Sequence, residues 1–207
     1  MALSHRKFIS HVRSEIEKAG GILRLSDSKY IMIGNLRVNG YFGGGEYGKL
    51  EIAIATQKPI HIWLGTLSHE FAHFQQMKAK CRSWTNCDLP NGEDAIDTLD
   101  GWISGNDIHL NRVNHCIKIC RNLELDCERR SLKNIIKYEL PINPEVYCQR
   151  ANAYVHFYNY IRIRRRWYKI GQEPYQVKEI ISAMPKHLNG KYHYLPKRYL
   201  ELYDEFC

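Results

Sequence analysis

Apolar residues recur along this chain with two different rhythms, and each change of rhythm marks a new element. Phe8, Ile9, Val12 and Ile16 share one face at a 3.6-residue period, predicting a helix over residues 3–19 that ends at Gly20-Gly21. Short β-like runs follow at 21–25, 30–33 and 36–38, parted by the turn-forming Ser26-Asp27-Ser28 and Gly34-Asn35. Gly43-Gly44-Gly45 reads as a mobile hairpin connection, because no Lys-Ser/Thr follows to make a phosphate loop. From Lys49 to Thr56, Leu50, Ile52 and Ile54 alternate with Glu51, Ala53 and Ala55, which makes this the clearest strand. Pro59 interrupts, residues 60–64 form another short apolar run, and Gly65-Thr66 leads into a helix predicted to reach about Lys80. Residues 81–105 read as a polar loop whose acids Glu93, Asp94, Asp97 and Asp100 lack EF-hand spacing. A long helix is predicted from about Asn106 to Tyr138, with Val113, Ile117, Cys120, Cys127 and Ile135 as its apolar stripe. Further helices are expected from Pro144 to about Tyr168, from Gln172 to Met184 and from Pro196 to Phe206.

The predicted helix near residue 70 contains His69-Glu70-Phe71-Ala72-His73, an HExxH pentapeptide. Positions i and i+4 stack on one helix face, so the two imidazoles point the same way and can supply two ligands to one zinc ion. Glu70, one step round, is placed to act on a water held by that metal. Leu67, Phe71 and Phe74 lie roughly opposite, so the helix would bury one face and present the other. A catalytic zinc needs a third protein ligand. On the long helix, Glu124 falls in the middle of the apolar stripe, Glu128 at its margin and Asp126 on the opposite side. A carboxylate in a buried stripe is costly unless it is paired or metal-bound, which makes Glu124 the best third ligand. A salt bridge to Arg121 or Arg150 would answer the same cost.

With 207 residues the chain can bury one sizeable core, and no apolar run approaches the ~20 residues of a membrane-spanning helix. The N-terminus lacks the apolar core of a signal peptide, and seven cysteines without repeated spacing favour free thiols in a reducing, cytoplasmic setting. The net charge of +8 is concentrated in the second half of the chain. Its densest stretch, Arg162-Ile163-Arg164-Arg165-Arg166-Trp167-Tyr168-Lys169, interleaves cations with aromatics, a composition suited to nucleic acid, to an acidic partner or simply to solvent.

HEFAH at 69–73 followed some fifty residues later by Glu124-Leu125-Asp126-Cys127-Glu128 resembles the gluzincin zinc metallopeptidases. The pattern is similar to that of the ImmA/IrrE-like enzymes of phages and bacteria and of CAAX-type proteases. The resemblance implies zinc held by His69, His73 and Glu124, Glu70 as general base, and Glu128 orienting a ligand histidine. It also implies a peptide or protein substrate added as a strand along Ile52, Ala53 and Ile54, and a donor for the oxyanion, for which Tyr154 and His156 are the candidates. Two departures stand out: Glu128 where the family often has Asp or Asn, and Cys127 where it often has Ala. Metzincins are excluded by Gln76 and Ala79, and a SprT-like site would need His109 or His115 as third ligand.

The expected fold is α+β and zincin-like: a small twisted, mainly antiparallel sheet packed on the HExxH helix. Residues 1–140 would form the metallopeptidase core, and 141–207 a helical extension packed on it. The expected function is zinc-dependent peptide hydrolysis. The competing expectations are a nucleic-acid-associated or regulatory protein working through Arg162, Arg164, Arg165 and Arg166, and a catalytically silent interaction domain.

Overall fold

The computed structural model describes residues 2–45 and 48–207 and has an α+β fold with a helical C-terminal part. Its contacts divide the chain into two compact units, Met1–Ala79 with Arg129–Pro144, and Lys80–Glu128 with Glu145–Cys207.

The first unit begins with α1 (Ala2–Lys18), then β1 (Ile22–Ser26), the antiparallel pair β2 (Ile31–Ile33) and β3 (Leu36–Val38), β4 (Gly40–Gly44), β5 (Leu50–Ala55) and α2 (Ile60–Lys78). The sheet has the order β1-β5-β4, with β1 parallel and β4 antiparallel to β5. Leu23 and Phe42 flank Ile52 from the two sides. The expected use of β5 as a substrate-binding edge is therefore corrected: both of its edges are already paired, and Ile52, Ala53 and Ile54 are fully buried. Strand order is a long-range property that alternation along one segment does not encode. Among the described residues β1 and β4 are the two edge strands of this sheet.

Helix α2 begins earlier than its periodicity suggests. Pro59 stands at its N-cap, and the apolar run from Ile60 to Leu64 forms its opening turns. Proline needs no backbone partner at a helix start, so it acted as a start signal and not as a breaker. Leu67, Phe71 and Phe74 are buried as their spacing predicts. Phe71 meets Phe8 of α1 edge-on, and Phe74 meets Phe42 of β4 in the same way. Gly43 and Gly44, expected in a hairpin connection, are part of β4 and pair with Glu51 and Leu50.

Helix α5 (Leu110–Lys137) has 28 residues, and its last part, from Arg129 on, belongs to this unit. There the Ser68 hydroxyl donates to the Ser131 carbonyl at 3.1 Å, and the Asn134 amide donates to Gln75 Oε1 at 3.2 Å. These bonds hold α2 and α5 side by side.

The second unit contains α3 (Arg82–Thr85), α4 (Ala95–Ile103), the first part of α5, α6 (Pro144–Arg164), α7 (Lys178–Ala183) and α8 (Lys197–Phe206). Helix α4 replaces part of the expected polar loop. Asp94 caps it by accepting from the Ile96 amide at 2.7 Å, and Ala95, Leu99 and Trp102 bury one face. The acids that made this stretch look like loop are the cap and the solvent side of a short amphipathic helix. The core here mixes aliphatic and aromatic side chains, with Phe157, Tyr160 and Tyr203 packed ring against ring.

Gly40 marks where β4 comes closest to its neighbours. A Cβ there would lie 2.9 Å from both the Ala53 carbonyl oxygen and Thr66 Cγ2 of α2, whereas one at Gly44 would meet nothing within 4 Å. Gly40→Ala should lower the unfolding free energy by about 1–3 kcal/mol, the usual cost of overpacking, while Gly44→Ala should leave it nearly unchanged. Urea denaturation of the two variants checks this.

Candidate metal centre

His69, Glu70 and His73 stand on the half-buried side of α2. The two imidazoles are one turn apart, with ring centroids 4.8 Å from each other and planes nearly perpendicular. His73 Nδ1 lies 2.8 Å from Gln76 Oε1. An amide oxygen only accepts, so Nδ1 carries the hydrogen and Nε2 keeps the ring's lone pair. A buried acceptor that fixes the tautomer and aim of a histidine is the usual companion of a metal ligand. Gln76 went unassigned in the sequence; its signal is a polar residue at i+3 from His73 that the helix buries completely.

Two imidazoles one turn apart on one helix face are ligands that suit zinc. On α5, Glu124 and Cys127 are at i,i+3 on one helix face, and both are buried. His109 and His115 are exposed.

Glu124 is 8 % exposed, as its place in the stripe predicts. Neither arginine considered for it takes the role. Arg121 donates to Asn159 Oδ1 at 2.9 Å, and burial and Arg162 push its pKa down. Arg150 is pushed down by burial. Around Glu124 are phenols and thiols instead, and its charge helps raise the pKa of Tyr158, Tyr154, Tyr168, Cys87 and Cys120, after burial as the main cause.

Glu128 departs from the expected margin position: at 6 % exposure it is as deep as Glu124. Arg121, Leu125 and Glu128 form a second buried face of α5, where Arg121 meets Asn159 of α6 and the Tyr147 hydroxyl of α6 donates to Glu128. A stripe read from one helix does not reveal that a second helix covers its flank.

The two oxyanion candidates separate. Tyr154 lies toward Glu124, with its hydroxyl 3.4 Å from that of Tyr158. His156, two residues on, points the other way, between Tyr192 and Tyr199. The basic stretch is engaged within its own unit. Arg164 pairs with Asp204, Arg165 donates to the carbonyls of Trp102 and Asn106, and Arg166 donates to the Tyr160 hydroxyl. Trp167 donates to Asp100. Arg162 is exposed. Comparison with known protein families, curated proteins and solved structures finds no match to this chain.

Burial lowers the His156 pKa to about 4, with the nearby Arg121 adding to the effect. The unfolded chain binds this proton below about pH 6.5 and the folded chain only below about 4, so stability falls as the pH drops through that window. His156 alone should remove about 3 kcal/mol between those limits. His156→Gln, which cannot charge, should flatten this part of the profile. Urea midpoints at pH 6.5 and 4.5 for both proteins test it, and equal losses in the two would assign the effect elsewhere.

Proposed function

We propose that this chain is a zinc-dependent metallopeptidase of gluzincin type, with a zincin-like arrangement of sheet and HExxH helix. The observation that carries the reading is the HExxH helix itself: His69 and His73 stand one turn apart on one half-buried face, with the His73 ring held through Nδ1 by Gln76; Glu124, buried on α5, is the proposed third ligand. Zinc bound there would supply Lewis acidity to the scissile carbonyl and acidify the attacking water.

The chain's own residues divide the remaining work. The Gln76 amide oxygen holds the His73 ring by its Nδ1–H, which keeps Nε2 directed as a ligand. Glu70 accepts the proton of the attacking water and passes it to the leaving amine, as its place beside His69 in the motif requires. Tyr154 remains protonated far above neutral pH, as a donor to a developing oxyanion must. His156, enclosed in aromatic packing, is not part of this scheme. A peptide would add along the open edge of β4, which runs beside α2, and its backbone amides would provide much of the affinity. Arg164, Arg165 and Arg166, though exposed, are each matched to acceptors within their own unit, which favours the peptidase reading over a nucleic-acid surface there.

Metal analysis should find about one zinc per chain, lost in His69→Ala, His73→Ala and Glu124→Ala. Glu70→Gln should keep the metal and the fold while lowering cleavage of a degenerate peptide pool, read by mass spectrometry, by ~10²–10⁴-fold. Absence of bound zinc after zinc-replete preparation, or undiminished cleavage by Glu70→Gln, would overturn the reading.

A further inference from the structure

We propose that Arg121 and Arg162 form a binding site for a phosphate dianion, either the free ion or the terminal group of a small phosphate monoester. Both residues lie in the second unit, and the inference is independent of the metal reading above. Arg121 of α5 is only 8 % exposed, and its Nη1 donates to Asn159 Oδ1 of α6 at 2.9 Å. Asn159 is itself fixed, because its Nδ2 donates to the Tyr192 carbonyl at 2.9 Å. This bond holds the guanidinium with a neutral dipole and leaves its charge unmet. Among the described residues no carboxylate pairs with Arg121, and its Nε is buried without a partner. Arg162 stands one turn beyond Asn159 on the same face of α6. It is exposed and, unlike Arg164, Arg165 and Arg166, has no protein acceptor among the described residues. Its charge adds to burial in pushing the Arg121 pKa down. His156 Nδ1, one turn before Asn159, is likewise buried without a partner.

A buried cation is costly unless an opposite charge meets it, and a second cation beside it adds to that cost. Elsewhere in this unit arginines are matched by carboxylates, Arg112 by Glu93 and Arg164 by Asp204. Arg121 and Arg162 share no such partner. A phosphate group answers both, since it brings about two negative charges and three strong acceptor oxygens at neutral pH. The flat guanidinium fork is the side chain that binds such oxygens two at a time. The anion would be reached from solvent at Arg162 and held at depth by Arg121. A carboxylate, with a single charge, would leave one of the two cations unmet. Nucleic acid would need a row of available cations, and the neighbouring arginines are already engaged.

Calorimetric titration of the intact chain with inorganic phosphate in low-salt buffer should show one saturable site. Arg162→Gln should weaken it about 10–100-fold, the worth of a hydrogen bond to a charged group. Arg162→Lys should weaken it less, because the charge is kept and only the fork is lost. Lys169→Gln, which removes an exposed charge from the same basic stretch, should leave it unchanged. Arg121→Met should abolish it, and if that variant does not fold, the Arg162 and Lys169 variants decide. Phosphate also coordinates zinc, so His69→Ala, which lacks a proposed metal ligand, should bind phosphate as the wild type does. Glycerol 3-phosphate separates the two sources: tighter binding than the free ion assigns a monoester, and equal or weaker binding assigns the ion itself. No saturable binding, equal losses in Arg162→Gln and Lys169→Gln, or loss in His69→Ala with no effect of Arg162→Gln would overturn the proposal. Binding of a single-stranded oligonucleotide to which Lys169 contributes as much as Arg162 would also overturn it, in favour of a general basic surface.

Discussion

A carboxylate in the apolar seam of a helix must be met by charge, hydrogen bonds or a metal, and this constraint shapes the middle of α5. Within two turns the helix buries Arg121, Glu124 and Glu128. An uncompensated charge at such depth costs several kcal/mol, so each position demands a partner from elsewhere in the fold. Asn159 and Tyr147, both from α6, answer Arg121 and Glu128. Near Glu124 lie Tyr154, Tyr158 and Cys120, whose pKa values burial raises, with the Glu124 carboxylate adding to the effect.

The same helix shows how far local pattern reaches. Its length, its main stripe and the burial of Glu124 were all legible from spacing, as were α1 and the apolar back of α2. The depth of Glu128 was not, because the second buried face of α5 exists only where α6 covers it. Cys127 was legible as a buried residue, since a thiol satisfies an apolar stripe as well as a methyl group does. The strand β5 was found from its alternation, yet its central place came from partners on both sides that alternation does not name. Helix α4 was hidden by composition: acids at a cap and on a solvent face outweighed a stripe of only three apolar residues.

Charge runs carry a similar lesson. The basic stretch after α6 offers a dense set of guanidinium donors, and a count of charges treats them as available. In the folded unit they are matched to a carboxylate, two carbonyls and a phenol, while Arg165 and Arg166 also stack over Trp102 and Tyr160. Planar, five-donor arginine suits this role better than lysine, because one side chain can satisfy several fixed acceptors at once. The segment fastens the end of α6 to α4 and α8, and its aromatics belong to that packing.

The glycine content of β4 has a further meaning. Three of its five residues, Gly40, Gly43 and Gly44, have no side chain to project from the strand. Any chain laid along its open edge would meet a nearly bare row of amides and carbonyls, with Tyr41 and Phe42 as the only features in relief. Such an edge reads extended backbone, not residue identity. It would accept many sequences in one conformation, and discrimination among them would depend on which segments can first become extended.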